Sequence, residues 1–278
     1  MNKLNKDFYA GILFHNTPKY HELNQYINDS VDAYELILGQ YAKEPDAIED
    51  IKQFGKPLIL HTNVLSPCSY NGTADSIISK VENRVKISDA LWVGDHMCFS
   101  KIQGIDTGTL MPPFFMEEEV DFYSKNINLI QEQLSCPLAI ENVVMHYNPI
   151  GNLSPGEFFH KITEKTGVGL ILSLENIAQS AFYSKLDPYE FIDSLPLEKV
   201  VQIHCSLGNI EEQRENSYYY EKQLHHFEIL EYLSKKEKFQ PRALMWELET
   251  EVPSLPEVEY LKEKLNWARE LFSKQLIK

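Results

Sequence analysis

The residues best able to do chemistry in this chain recur at one kind of position, the end of a short apolar run. The runs are Phe8–His15, Ala33–Leu38, Pro57–Thr62, Ala90–His96, Pro137–Val143, Gly169–Asn176, Lys199–Cys205 and Ala243–Glu249. His61, His96 and His204 stand at or beside the close of three of them, and Glu141, Glu175 with Asn176, and Glu247 at the close of others. His15 ends the first run, Glu35 lies within the second, and Asp95 directly precedes His96. If each run is a strand of one sheet, these ends deliver imidazoles and carboxylates to a single rim. Carboxylates crowded together repel and lose hydration, and cations placed among them remove that cost. A mixed nitrogen and oxygen set suits iron, manganese or zinc better than magnesium or calcium. The expected metal ligands are therefore His61, His96, Glu141, Glu175, Asn176, His204 and Glu247. Glu35 and Asp95 are expected as supporting or proton-handling groups.

Each of these residues taken alone has a plainer reading. A single strand-end histidine is more often a hydrogen-bonded rim residue than a ligand. His15 stays open between ligand, support and substrate contact. The pair His225-His226 falls inside a helical pattern and reads as solvated or capping. The repetition on different runs is what favours a metal site.

The elements that must position these residues follow from the alternation of patterns. The runs are of strand length and apolar on both pleat faces, as parallel strands covered on both sides are. Between them, Ala74–Ser88, Met116–Gln133, Ser154–Lys165, Asp187–Ser194, Glu221–Lys235 and Leu255–Lys274 carry apolar residues at helical spacing or begin with capping signals. Ser154-Pro155 and Asp187-Pro188 pair an N-cap with proline at the first helical position. Strict strand–helix alternation implies a parallel sheet with right-handed crossovers. Eight repeats predict closure into a single (β/α)8 TIM barrel over residues 1–278, with a doubly wound open sheet as the alternative. The segments Ser66–Thr73, Lys101–Phe115 and Leu207–Ser217 are expected as long loops at the strands' C-terminal ends, where barrels of this kind build their sites.

Composition limits the partners. The formal charge of −15 disfavours nucleic-acid backbones and anionic membranes. No apolar run approaches the roughly 18 residues of a membrane span, and the N-terminus lacks the pattern of a secretory signal. Cys68, Cys98, Cys136 and Cys205 form no CxxC pair, which fits reduced thiols in a cytoplasm. Cys205, one residue past His204, should point away from it.

The strand ends and their order resemble the multinuclear non-heme iron-dependent oxidative enzymes, barrels that modify ribosomally made peptides, often at cysteine. Val-Gly-Asp-His96-Met-Cys, Gly-Thr-Leu-Met-Pro-Pro (108–113), Cys-Pro-Leu-Ala-Ile-Glu141-Asn142, the segment 167–177, Gln-Ile-His204 and Leu-Met-Trp-Glu247 carry the likeness, most densely from Asp89 to Asn176. The resemblance implies two or three iron ions, O2 as cosubstrate and a peptide substrate. It places ligand roles on His61, His96, Glu141, His204 and Glu247. A separate partner protein for peptide recognition is an expectation of the same reading. Three positions depart from the family pattern. The strand-six aspartate is Ser173, with Glu175 as the expected replacement. The Asp-x-His after strand seven has no clean match, and the arginine of the N-terminal motif is Leu13.

Two other classes compete. A divalent-metal hydrolase or sugar isomerase of the endonuclease IV or xylose isomerase barrel type also places histidine and glutamate at strand ends, but the acidic surface disfavours its nucleic-acid form. A non-catalytic barrel scaffold is the third reading, supported by Ser173.

Overall fold

The computed structural model describes residues 6–41, 46–102, 105–207, 226–248 and 255–273. Eight parallel strands close into a barrel, and helices alternate with them along the chain. In chain order the strands are β1 (Tyr9–Phe14), β2 (Ala33–Ile37), β3 (Leu58–His61), β4 (Val93–His96), β5 (Phe99–Ile102), β6 (Ile105–Met111), β7 (Leu138–Glu141), β8 (Gly169–Ser173), β9 (Val200–Leu207) and β10 (Ala243–Leu248). The barrel runs β1-β10-β9-β8-β7-β4-β3-β2, while β5 and β6 form a separate antiparallel hairpin. This is a TIM barrel, as the alternation predicts. The helices are α1 (Pro18–Ile27), α2 (Asp46–Lys52), α3 (Asp75–Ser88), α4 (Glu117–Gln133), α5 (Pro155–Thr166), α6 (Leu174–Ser184), α7 (Pro188–Asp193), α8 (226–233) and α9 (Leu255–Ser273).

Strand alternation sorts the core into two populations. Residues such as Ile12, Tyr34, Leu60, Ile140, Ile203 and Trp246 belong to the large cluster packed with helix residues. Residues one step away, including Ala33, Ile59, Trp92, Ala139, Ile171 and Met245, form a second cluster. The chemically useful residues share the parity of this second set: Glu35 follows Ala33, His61 follows Ile59, Glu141 follows Ala139 and Glu247 follows Met245, each by two. The apolar layer thus forms a floor, and the polar residues stand one layer nearer the strands' C-terminal ends. Cys205 has the opposite parity and lies in the helix-facing cluster, as expected. All four cysteines are free thiols.

The helix caps read from sequence are present. Ser154 and Glu157 close a reciprocal capping box at α5, and Asp187 accepts from the Tyr189 and Glu190 amides at α7. Three elements differ from expectation. β8 stops at Ser173, and the chain turns at once into α6, with Ser173 as N-cap. Glu175 and Asn176 are therefore helical, because Ser173 Oγ captures the Asn176 amide and starts the helix there. The expected loop Lys101–Phe115 contains most of the β5–β6 hairpin. Helices α1 and α2 were not legible as separate patterns. The expected Leu207–Ser217 loop, apart from Leu207 itself, lies outside the described residues, as do Glu249 and His225.

Candidate metal centre

β2, β3, β4, β7 and β9 bring five of the predicted residues into two overlapping groups. Glu35, His61 and His204 form one, and His61, His96 and Glu141 the other; within each, one candidate ligand atom per residue lies within 4.8 Å of the rest. All five are buried or nearly so.

The second group is organised around one oxygen. Glu141 Oε2 lies 3.3 Å from His61 Nε2, 3.3 Å from His204 Nδ1 and 3.6 Å from His96 Nε2. Two ligands held at about 2.1 Å from one first-row ion stand about 3.0–3.4 Å apart, so the two 3.3 Å separations match the edges of a coordination polyhedron and the His96 separation is slightly wider. Glu141 Oε2, His61 Nδ1, His96 Nδ1, His204 Nδ1 and Glu35 Oε1 are buried and make no hydrogen bond of good geometry among the described residues. Buried polar atoms rarely go without a partner, and a cation between them would supply it. The donor set, three imidazoles and two carboxylates, fits a transition metal ion.

The first group lies one layer deeper. Glu35 is fully buried, with Oε1 3.2 Å from His61 Nδ1 and Oε2 2.8 Å from His204 Nε2. Gln202 Nε2 also reaches Glu35 Oε2, at 2.8 Å, while Gln202 Oε1 accepts from the Trp92 indole at 2.7 Å. Because an indole N–H only donates, it fixes which end of the Gln202 amide faces Glu35.

In the protein alone, the electrostatics are those of buried carboxylates and imidazoles leaning on one another. Burial pushes Glu35 up, but His204 and then His61 overcome it and hold the carboxyl far below its usual range. Glu141 behaves alike: against burial, His204 and His96 bring it down to about 2. Burial pushes His204 down, yet Glu35, Glu141 and Glu247 carry it well above the ordinary value, and His61 is raised by Glu35 and Glu141. His96 goes the other way, to about 4, because burial outweighs its attraction to Glu141.

The remaining predicted residues divide into supports and outliers. Asn176 donates Nδ2 to Glu141 Oε1 at 3.1 Å and to the Asn142 carbonyl at 2.8 Å, so its amide nitrogen faces the carboxylate. That is the geometry of a brace for Glu141. Asp95 has the helix-facing parity, and its oxygens accept from the Leu65 amide at 2.9 Å and the His96 amide at 2.6 Å. It ties the loop after β3 to β4, and burial raises its carboxyl to about 7. Glu247 stands at the rim with its side chain 33% exposed, 3.6 Å from His204 Nδ1. Burial, and then the nearby Glu141 and Glu35, raise it. It joins neither group of three, although it borders the Glu35, His61 and His204 group through His204.

Glu175 is not brought to these groups. Its oxygens meet Gln179, Ser206 and, at 3.8 Å, His226 Nε2. His226 is 1% exposed, so the solvated reading does not hold for it. It sits on α8, whose inner face packs on the barrel. His15 is half-buried and packs edge-on against Tyr20 at 4.9 Å. Sequence reasoning missed Gln202 and Trp92. The available signal was parity: Gln202 precedes His204 by two on one strand, so both face inward.

Comparison with known proteins bears on this site. The model of a family described as RiPP precursor modification enzyme MbnB/TglH/ChrH matches residues 13–271. A UPF0276 protein of Caulobacter vibrioides is 29% identical over 151 residues, covering 54% of each chain. Another, from Rhizorhabdus wittichii, is 29% identical over 150 residues with the same coverage. The chain spans about half the length of the curated relatives it matches. Among solved structures, D-psicose 3-epimerase from Clostridium cellulolyticum superposes with a TM-score of 0.53 at 10% identity, covering 97% of this chain and 99% of that one. The TTHB071 protein from Thermus thermophilus, soaked with ZnCl2, gives 0.54 at 15% identity, covering 92% and 98%. At such identities the structural likeness shows the barrel alone. The match over residues 13–271 shows more: this chain belongs to the RiPP precursor modification enzyme family MbnB/TglH/ChrH.

Proposed function

We propose that this chain oxidatively modifies a ribosomally synthesised peptide, at a cysteine, with two or three iron ions and O2 as cosubstrate. The observation that supports it most is the convergence of three imidazole nitrogens on Glu141 Oε2 within 3.6 Å, with that oxygen and His204 Nδ1 both buried and without a hydrogen bond of good geometry. Family membership supports the peptide. His61, His96, His204 and Glu141 would hold the ions, with Glu35 closing the deep side and Glu247 the open side toward the rim. Bound there, iron supplies a redox centre for O2 and a soft acceptor for a thiolate.

The chain's own residues do the positioning. Asn176 keeps Glu141 Oε1 occupied so that Oε2 faces the imidazoles. Gln202 and Trp92 fix Glu35 below. Ile171 and Met245 belong to the buried apolar floor beneath the ligands. Glu247, partly exposed at the rim, would meet an incoming side chain first. A separate recognition partner and a cytoplasmic setting belong to the same proposal. No helix among the described residues is long and apolar enough to cross a membrane.

The test uses protein loaded with ferrous iron without air, mixed with a cysteine-containing peptide and then with O2. The proposal predicts a visible thiolate-to-iron charge-transfer band and thiol-dependent O2 uptake. A chain that retains zinc alone, shows neither signal, and hydrolyses phosphate esters or isomerises sugars would contradict it.

A further inference from the structure

A second feature at the rim has no role in the metal centre. A groove of about 600 Å3 opens between α3 and the segments that follow β2 and β3. Its apolar wall is made by Leu38, Val64, Ile77 and Val81, and its polar edge by Lys80, Arg84 and Lys101. Ile77, Lys80, Val81 and Arg84 are spaced so that they share one face of α3. Lys101 comes from the β5–β6 hairpin.

The charge of this lining is opposite to that of the protein. The chain carries 41 acidic and 26 basic residues. The groove is lined by three cations and, among the described residues, no carboxylate. A basic, partly apolar slot on an otherwise acidic protein concentrates field and hydrophobic contact in one place. Its position matters as much. Thr62 in the lining directly follows His61, and Leu38 lies three residues past Glu35. The groove therefore opens at the C-terminal end of β2 and β3, the same rim of the barrel as the ligand cluster.

We propose that this groove docks an acidic segment of the peptide substrate that also carries apolar residues, leaving a more distant part of the same peptide to enter the mouth. The inference rests on the peptide-modifying reading above. The apolar wall would bury the segment's Leu, Ile, Val or Phe side chains, while Lys80, Arg84 and Lys101 pair with its Asp and Glu. The volume suits a short extended segment and is within the ordinary range for a ligand pocket.

The experiment selects a phage-displayed random peptide library on the purified full chain. Enriched sequences are then made as fluorescein-labelled peptides and titrated by anisotropy. Enriched peptides should be acidic and contain apolar residues, and should bind more weakly as salt is raised. Affinity should fall about tenfold or more in the K80E/R84E/K101E variant, with a smaller loss in K80A/K101A, which keeps the fold under less strain. Enrichment of neutral or basic peptides, no enrichment over bare support, or binding indifferent to both variants would overturn the proposal. Iron content measured on the same samples separates the two readings. A wild-type chain that takes up iron but enriches no acidic peptide removes the groove and spares the metal centre; a wild-type chain that binds such peptides without any capacity for iron does the reverse.

Discussion

Gln202 donates its amide nitrogen to Glu35 Oε2 at 2.8 Å, across the barrel interior and 167 residues along the chain. Trp92 makes that contact one-directional by donating to the other end of the amide. Phenylalanine at 92 removes the donor and frees the amide to turn its oxygen toward Glu35, which repels it. Trp92→Phe and Gln202→Leu should each weaken metal binding about 10–100-fold, in line with other groups that orient ligands. Competition with a chelator measures this, and unchanged affinity in both variants would remove the bracing role.

Gly94 is small because His61 occupies its space. A Cβ there would stand 2.6 Å from His61 Nδ1 and 2.6 Å from Ile171 Cδ1. Neither the ring nor the buried isoleucine can retreat freely. Gly94→Ala should cost about 1–3 kcal/mol in urea unfolding and lower metal occupancy by displacing His61.

Asn176 distinguishes a brace from a ligand. With its amide nitrogen on Glu141 Oε1, Asn176→Ala should keep the number of ions bound and weaken their affinity. Loss of one whole equivalent of metal, read by titration against metal content, would make Asn176 a ligand instead.

The pH dependence of metal-free protein follows from the raised imidazoles. His61 and His204 bind protons more tightly folded than unfolded. Their contribution is complete below the unfolded value of about 6.5 and is lost as pH rises through the higher folded values. The thermal midpoint of metal-free protein should therefore fall on going from neutral to alkaline pH. Below neutrality, His96, held at about 4, and Asp95, raised to about 7, act in opposite directions. Metal binding needs deprotonated imidazoles, so metal affinity should rise over the same alkaline range in which metal-free protein loses stability. A metal-free midpoint that climbs with pH would contradict the pairing of His61 and His204 with Glu35 and Glu141.

The barrel was legible because each buried strand is a short apolar run followed by a capped helix. The inward-facing ligands were legible because they end those runs with a constant parity. Glu175 and Asn176 were misplaced for a local reason. Ser173 is both the last inward residue of β8 and the N-cap of α6, and a capping hydroxyl inside an apolar run does not announce that the strand has stopped. The hairpin was missed because Ile105–Met111 is polar and rim-exposed, without the buried alternation of a core strand. Gln202 escaped notice because an amide signals neither charge nor metal. Its importance depends on Trp92 and Glu35, which meet it only after the barrel closes.

The most direct measurement is the iron content of protein produced with added iron and purified without air, compared among wild type, His96→Ala and Glu141→Ala. The account predicts more than one iron per wild-type chain and a clear loss in both variants while circular dichroism stays native. Equal metal in all three proteins, or none in any, would contradict a metal centre built on Glu141 and its three histidines.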